Sequence, residues 1–444
     1  MLRVLAVDLG ASSARVACVD IDAHPVSIEI LRRFEHRPVR HGDGALRWEW
    51  DRITREVLLG LEAGIHTGPV ASIGIDAWGV DYGLLDADGA LLSAPYCYRD
   101  DRTAGWRDIV DRLGGEELYR ETGIQLMRIN TIFQLAAHDR SELARARHLL
   151  MLPELFVYGL TGALMGERTS AGTTSLVDIR TGDWSASLLR AIGVDRTIMP
   201  RIHQATAYAG MWRGVPVHLV GGHDTASAVA ALPSSGPGVA FVSSGTWMLV
   251  GTEVDEPDTS DAAMRANFSN EAGVFDNVRF LKNVMGLWML EQCRTQWGDP
   301  PLQELLREAE ALPAGGAQVD ATDARFLAPE DMEAEVRGAA HLPTTAGRAA
   351  VARCILDSLA AAAASVVREL EMLRDQRMTE VCVVGGGARN ELLNRLIAEE
   401  CGVPVTTGPV EATVLGNALV QGVALGKFET LRDARSSMAA AERG

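Results

Sequence analysis

Basic side chains are in deficit: 42 lysines and arginines stand against 59 aspartates and glutamates, a formal net charge of -17 over 444 residues. Such a surface repels polyanions at long range and no local basic run offsets it, which argues against nucleic acid and anionic membrane as partners. Cysteine is sparse as well. Cys18, Cys97, Cys293, Cys354, Cys382 and Cys401 show neither CxxC spacing nor a dense framework, so they read as buried, reduced thiols of a cytoplasmic protein. The ten histidines form no HExxH or other close ligand set, which argues against a protein-ligated zinc site. No uninterrupted apolar run reaches transmembrane length, and the opening MLRVLAVDLG, with Asp8 inside its apolar run, lacks the long apolar region and cleavage site of a secretory signal. GxxxxGKS/T and GxGxxG do not occur, which excludes a P-loop NTPase and disfavours a dinucleotide site.

What is present is apolar material in quantity. The chain is 47% hydrophobic, enough for sizeable cores and too much for disorder, and its length allows about three domains or two large α/β lobes. Val4 to Asp8 and Arg15 to Asp20 are β-rich runs around the turn composition Leu9-Gly10-Ala11-Ser12-Ser13, which predicts an opening hairpin. A further strand is expected at Ala71 to Asp76 and a tight turn at Asp88-Gly89, with helical periodicity over Arg52 to Ala63 and much of Thr103 to Arg147. The run Ala-Leu-Pro-Ser-Ser-Gly-Pro-Gly at 231–238 breaks both periodicities. Val239 to Gly251 then repeats the opening pattern of strand, Ser-Ser-Gly-Thr turn and strand, which places one domain at 1–235 and a second copy of its plan at 236–444. Long helices are expected at Ala349 to Arg374 and Asn390 to Cys401, on either side of a strand from Thr379 to Val384.

The turns carry the chemistry. At the first, Gly10 permits close backbone approach, Ser12 and Ser13 offer hydroxyls and amides to phosphate oxygens, Arg15 offers a charged clamp, and Asp8 at the strand end suits a hydrated Mg²⁺. A surface hairpin needs the same glycine and serines for its turn alone. Thr246 in the second hairpin adds weight, because two hairpins facing across a cleft can grip a triphosphate from both sides. The strand-to-helix turn Gly385-Gly386-Gly387-Ala388-Arg389-Asn390 lets backbone approach a nucleotide near a helix N-terminus. Asp224 follows an apolar strand and opens a small-residue helix, where a carboxylate can accept the proton of an attacking alcohol or simply cap the helix. His223 beside it is the rival base and is assigned to substrate contact. Asp76, Trp78 and Asp81 form a carboxylate-rich aromatic loop that suits sugar hydroxyls, though a core tryptophan and turn aspartates read the same way. Asn130 and Gln134 read as sugar-facing amides or as a helix cap, while Asn283 lies in an otherwise apolar stretch where a buried amide without a partner would cost about 1 to 3 kcal/mol.

Taken together, DLGASSAR, IDAWGVDYGLLDADG, RINTIFQL, LMLPELFVYGLTG, GGHDTASAVAAL, SSGTWMLVG, LKNVMGLWMLE and GGGARNELLNRLIAEECGVPVTTGPVEATVLGNALVQG resemble the FGGY family of carbohydrate kinases, in unbroken order from residue 2 to 426. HDTASAV with KNVMGLW is most similar to its rhamnulokinase branch. The resemblance implies an α/β, two-lobed actin-like (ribonuclease H-like) ATPase fold with an interlobe cleft, using ATP and Mg²⁺ to phosphorylate the 1-hydroxyl of a ketose, L-rhamnulose. By the same resemblance Ala11, Ser12, Ser13, Ala14 and Arg15 contact ATP with Thr246, Glu291 and Gly386 or Gly387. Asp224 is the proton acceptor, and Gly79, His223, Thr225 and Asn283 bind the sugar, to which Asp76 and Trp78 are added. Two positions depart from the family pattern. Ala14 replaces a usual glycine, so a slightly displaced turn is expected, and Glu291 replaces a glutamine, which alters what it can donate to a nucleotide. L-fuculose is the nearest competing ketose, and a sugar sensor or a nucleotide-operated interaction protein are the readings from other classes.

Overall fold

The computed structural model describes residues 2–313 and 315–441, with side chains as far as Met438. It divides into two compact units, one comprising 1–233, 254–280 and 411–444, the other 234–253 and 281–410. This differs from the single cut after residue 235 read from the sequence. The cause is a helix from the C-terminal end of the chain, Ala412–Ala424, which completes the core of the first unit.

The first unit is built on a six-stranded sheet in the order Tyr208–Trp212, Val215–His218, Ser72–Ala77, Arg3–Leu9, Ser13–Asp20, Ser27–Glu35. Arg3–Leu9 pairs antiparallel with Ser13–Asp20, forming the expected hairpin, and parallel with Ser72–Ala77. A strand buried on both faces needs apolar residues at successive positions, which explains the unbroken Val4-Leu5-Ala6-Val7. Leu5 and Val16 lie against Gly64 and Gly60 of the helix Trp50–His66. Val4, Ala6, Ala17 and Val19 point the other way, into a cluster with Val414 and Ala418. Asn417 and Gln421 on that same C-terminal helix are fully buried. A second core in this unit gathers Phe133, Leu149, Leu176, Trp184 and Leu189 from the segments between residues 82 and 199.

In the second unit the hairpin plan recurs. Val239–Ser244 pairs antiparallel with Trp247–Val254 and parallel with Glu380–Val384, which continues parallel to Val405–Thr407. The likeness between the two hairpins, one of pattern with little identity in the sequence, is thus a likeness of topology. The helix Arg348–Arg374 is long and apolar enough to cross a membrane by length and composition, yet 78% of its most apolar window is buried in the protein. Arg353 and Asp357 interrupt it and pair with each other at 2.8 Å, and its alanines 360, 363 and 364 are packed without exposure, as expected of a core helix built for close approach.

Candidate functional site

Three carboxylates meet at the carboxyl ends of the first unit's parallel strands. Register places Asp8 directly beside Asp76 and across from Arg15. One residue further on, Ala77 bridges in parallel to His223, and its amide donates to the Gly222 carbonyl at 2.8 Å. Asp224 therefore follows at the same sheet end, as the first residue of the helix Asp224–Ala230, with His223 in the capping position. Its Oδ1 accepts from the Thr225 amide at 2.6 Å and faces the Thr225 hydroxyl at 3.2 Å.

Burial raises all three carboxyls above the ordinary carboxylate range. For Asp8 the Arg15 guanidinium, donating from Nε at 2.6 Å, opposes that rise. Asp76 is pushed furthest, by burial and then by the Asp8 charge, although Asn417 Nδ2 donates to its Oδ2 at 2.6 Å. Asp224 is raised by burial and by Asp8, with His223 pulling the other way. Exposure separates their capacities: the Asp8 side chain is 2% exposed, while that of Asp224 is 25% exposed and can be reached by a reactant. Asp76 Oδ1 is buried without a hydrogen-bond partner. Among the described residues no three His, Cys, Asp or Glu side chains are grouped to ligate a metal directly. Neighbouring carboxylates with a spare oxygen nonetheless fit Mg²⁺, which keeps most of its waters and takes one or two carboxylates.

Arg15 is engaged on both sides. Besides Asp8, its Nη1 lies 2.7 Å from Glu411 Oε2, and Arg33 pairs with Glu411 Oε1 at 2.7 Å. At the hairpin tip the Gly10 amide donates to the Ser13 carbonyl at 3.0 Å. Ala14 continues the ladder opposite Leu9 and Phe34 without a positive φ, so alanine fits this turn and no displacement is needed.

The aromatic loop divides into residues near His223 and residues of the core. A Cβ on Gly79 would sit 3.3 Å from His223 Cδ2 and 3.1 Å from Thr173 Cγ2, so the structure brings Gly79 and His223 together. Trp78 is buried and spends its one donor on Asp81 Oδ2 at 2.9 Å, as Trp48 does at 2.7 Å. Burial lifts the Asp81 carboxyl to about 6 against those bonds. Gln134 donates to Val80 O and Asp81 Oδ1, and Asn130 accepts the Met127 amide just before the helix Thr131–Ala136. Gln134 thus serves the aromatic loop and Asn130 the turn before its own helix. Val80, β-branched yet at φ 68°, is held there by Thr173 and Thr131.

Sequence reasoning missed the groups behind these loops. Glu167 Oε2 accepts amides from Thr169, Ser170 and Gly222 at 2.8, 3.1 and 3.0 Å, and the His223 amide donates to Thr169 Oγ1 at 3.0 Å. Glu154 lies against Glu167, and burial plus that neighbouring charge push its carboxyl up to about 8. A carboxyl raised in the folded state contributes stability below its ordinary 4.5 that is lost as pH rises through about 8. The free energy of unfolding should therefore fall across that window more steeply in wild type than in Glu154→Gln, by up to about 1.4 kcal/mol per pH unit; parallel curves would show that Glu154 does not titrate there. Asn417 and Gln421 had a readable signal, two amides four residues apart in the apolar helix ATVLGNALVQG. Glu271 and Arg279 had none.

In the second unit, Thr246 occupies the turn between Val239–Ser244 and Trp247–Val254, where the Leu287 amide donates to the Gly245 carbonyl at 2.9 Å. The glycine turn packs on the same hairpin. A Cβ on Gly387 would fall 2.0 Å from Ser244 Oγ, whereas Gly386 is exposed with nothing within 4 Å. Gly387 thus permits the packing and Gly386 is the open face. The α-helix Glu391–Cys401 matches the expected range, with Asn390 capping it through Leu393 N and Gly386–Arg389 forming a 3-10 turn before it. Asn283 is half-buried on the strand Val278–Met285. Glu291 is exposed on the helix Trp288–Gln296 and pairs with Arg294 at 2.7 Å.

Comparison with known proteins agrees with this architecture. Residues 3–230 match the model of the N-terminal domain of the FGGY family of carbohydrate kinases, and residues 240–425 match that of its C-terminal domain. Similar solved structures include a ligand-bound xylulose kinase from Lactobacillus acidophilus, with TM-score 0.80, 18% identity and coverage of 98% of this chain and 91% of that one. A gluconate kinase from the same organism gives 0.78 at 17% identity, covering 97% and 91%. Plasmodium falciparum glycerol kinase with ADP gives 0.78 at 14% identity, covering 99% and 92%. At such identities the likeness establishes the fold, the two-domain actin-like architecture expected from the sequence.

Proposed function

The chain belongs to the FGGY family of carbohydrate kinases, and on that premise we propose that it transfers the γ-phosphoryl group of Mg-ATP to the 1-hydroxyl of a ketose, L-rhamnulose, giving the 1-phosphate. The observation that carries this reading is Asp224: a reachable carboxylate at a strand end, oriented by Thr225 and set among buried acids. Such a group accepts the hydroxyl proton as the oxygen attacks phosphorus. Gly79, His223, Thr225 and Asn283 take the sugar; the close approach of Gly79 to His223 supports this. Trp78, with its N–H already spent on Asp81, supports the loop and offers no donor to a hydroxyl. Asp76, beside Asp8 in the sheet, serves the metal rather than the sugar. Asp8 and Asp76 would hold the hydrated Mg²⁺, which when bound neutralises phosphate charge.

On the nucleotide side, the Ser12-Ser13 turn, Thr246 and the open face of Gly386 receive ATP. Arg15, tied to Asp8 and Glu411, fixes the Asp8 carboxylate as much as it offers charge to phosphate. The sugar assignment rests on HDTASAV and KNVMGLW, and L-fuculose differs from L-rhamnulose only in where a hydroxyl points. Phosphorus NMR of the product tests the position of transfer. Coupling of the new phosphate to two methylene protons is expected for C1, and coupling to a single proton overturns it. Thr246→Val should raise the KM for ATP roughly tenfold, the worth of one hydrogen bond to a charged group, and leave the sugar KM near wild type. An effect confined to the sugar KM would remove Thr246 from the phosphate site.

A further inference from the structure

Behind His223 lies a pair of charged residues that phosphoryl transfer, as set out above, does not employ. Glu271 and Arg279 come from neighbouring strands, Ser269–Ala272 and Val278–Met285. The Arg279 side chain is 0% exposed and that of Glu271 5%. Arg279 Nε donates to the Ala272 carbonyl at 3.1 Å, and its Nη2 lies 3.2 Å from both Glu271 Oε2 and His223 Nδ1. The other ring nitrogen, His223 Nε2, is 3.4 Å from Asp224 Oδ1.

A guanidinium keeps its protons throughout the working range and can only donate. Nδ1 lies 3.2 Å from the guanidinium and 3.3 Å from Glu271 Oε2, and the hydrogen bond there is the one to the guanidinium, so Nδ1 accepts and a ring with a single proton carries it on Nε2, toward Asp224. The other tautomer would oppose N–H to N–H at Arg279 and a lone pair to a carboxylate at Asp224. Glu271 supplies the negative charge without which a buried guanidinium would be strongly destabilising. We infer that Arg279, its charge balanced by Glu271, is a positioning residue that locks His223 in its Nε2–H tautomer, so that the ring turns its N–H toward Asp224 and orients it as the proton acceptor. The effect on rate rests on Asp224 acting as the base, as proposed above; the tautomer does not.

The test joins ¹⁵N-histidine NMR of the full chain, with His223→Gln identifying the signal, to the pH dependence of kcat. Wild type should show a bare Nδ1 and a protonated Nε2. In Arg279→Met, Nδ1 is free to protonate toward Glu271, 3.3 Å away, and the Nε2 lone pair then meets Asp224. Asp8 and Asp76, which also act on Asp224, Arg15 beyond them and Thr225 on its own helix are unchanged in that variant. The acidic limb of kcat should therefore move to higher pH, with the ketose KM within about twofold of wild type. Glu271→Gln keeps the Arg279 donor and should keep the wild-type tautomer. A protonated Nδ1 in wild type overturns the inference even if Arg279→Met does not fold. So does an unshifted acidic limb in a folded Arg279→Met. Full turnover by Asp224→Asn, in contrast, would remove the base and leave the tautomer standing.

Discussion

Asp224→Asn should lower kcat by roughly 10²- to 10⁴-fold while the ketose still binds. The substitution is nearly isosteric, and the side-chain oxygen can still accept from the Thr225 amide, so the start of the helix Asp224–Ala230 has no reason to rearrange. What is lost is the capacity to take a proton from the attacking hydroxyl. The same residue fixes the pH profile of wild type. An acceptor must be ionised, and burial raises this carboxyl above 3.8, so activity should fall as pH drops through a value above the ordinary aspartate range. Stopped-time ADP release with calorimetric sugar binding reads both quantities. Turnover near wild type in the asparagine variant would remove Asp224 from the reaction.

Gly416→Ala should cost about 3 kcal/mol of stability, the upper end for overpacking. An added Cβ would lie 1.7 Å from the Ser227 carbonyl oxygen and 2.7 Å from its carbon. These are backbone atoms of the facing helix, so no side chain can swing aside; one helix must move. That helix is the one Asp224 opens, and the variant should lose turnover as well as stability. Gly42→Ala is the matched control, because nothing lies within 4 Å of the added methyl. Denaturant unfolding of the two variants beside wild type reads the difference, and equal midpoints would show that Ser227 and Gly416 are not packed this closely.

Much of this was legible because local chemistry and global role coincide. Asp8 ends a strand whose Val4-Leu5-Ala6-Val7 run could only be buried, and Gly10 to Ser13 could only turn. Asp224 was readable from the switch between an apolar strand and a small-residue helix. The limits are as physical. Arg15 looks like a free clamp until Glu411, almost 400 residues away in sequence, pairs with it. Trp78 suits a sugar pocket until Asp81 takes its N–H. Glu271 and Arg279 lie in strands where a charged residue normally reads as solvated, and only the fold sets them behind His223. The compact units interleave in sequence for the same reason: nothing local to 412–424 tells a core helix which sheet it will cover.

The central claim is sugar-dependent phosphoryl transfer, and coupled ADP release over a panel of ketoses, polyols and aldoses tests it most directly. The account predicts release that requires both Mg-ATP and a ketose, fastest with L-rhamnulose, slower with L-fuculose and D-xylulose, and absent with glycerol and gluconate. ADP release at one rate with and without every sugar in the panel would contradict it.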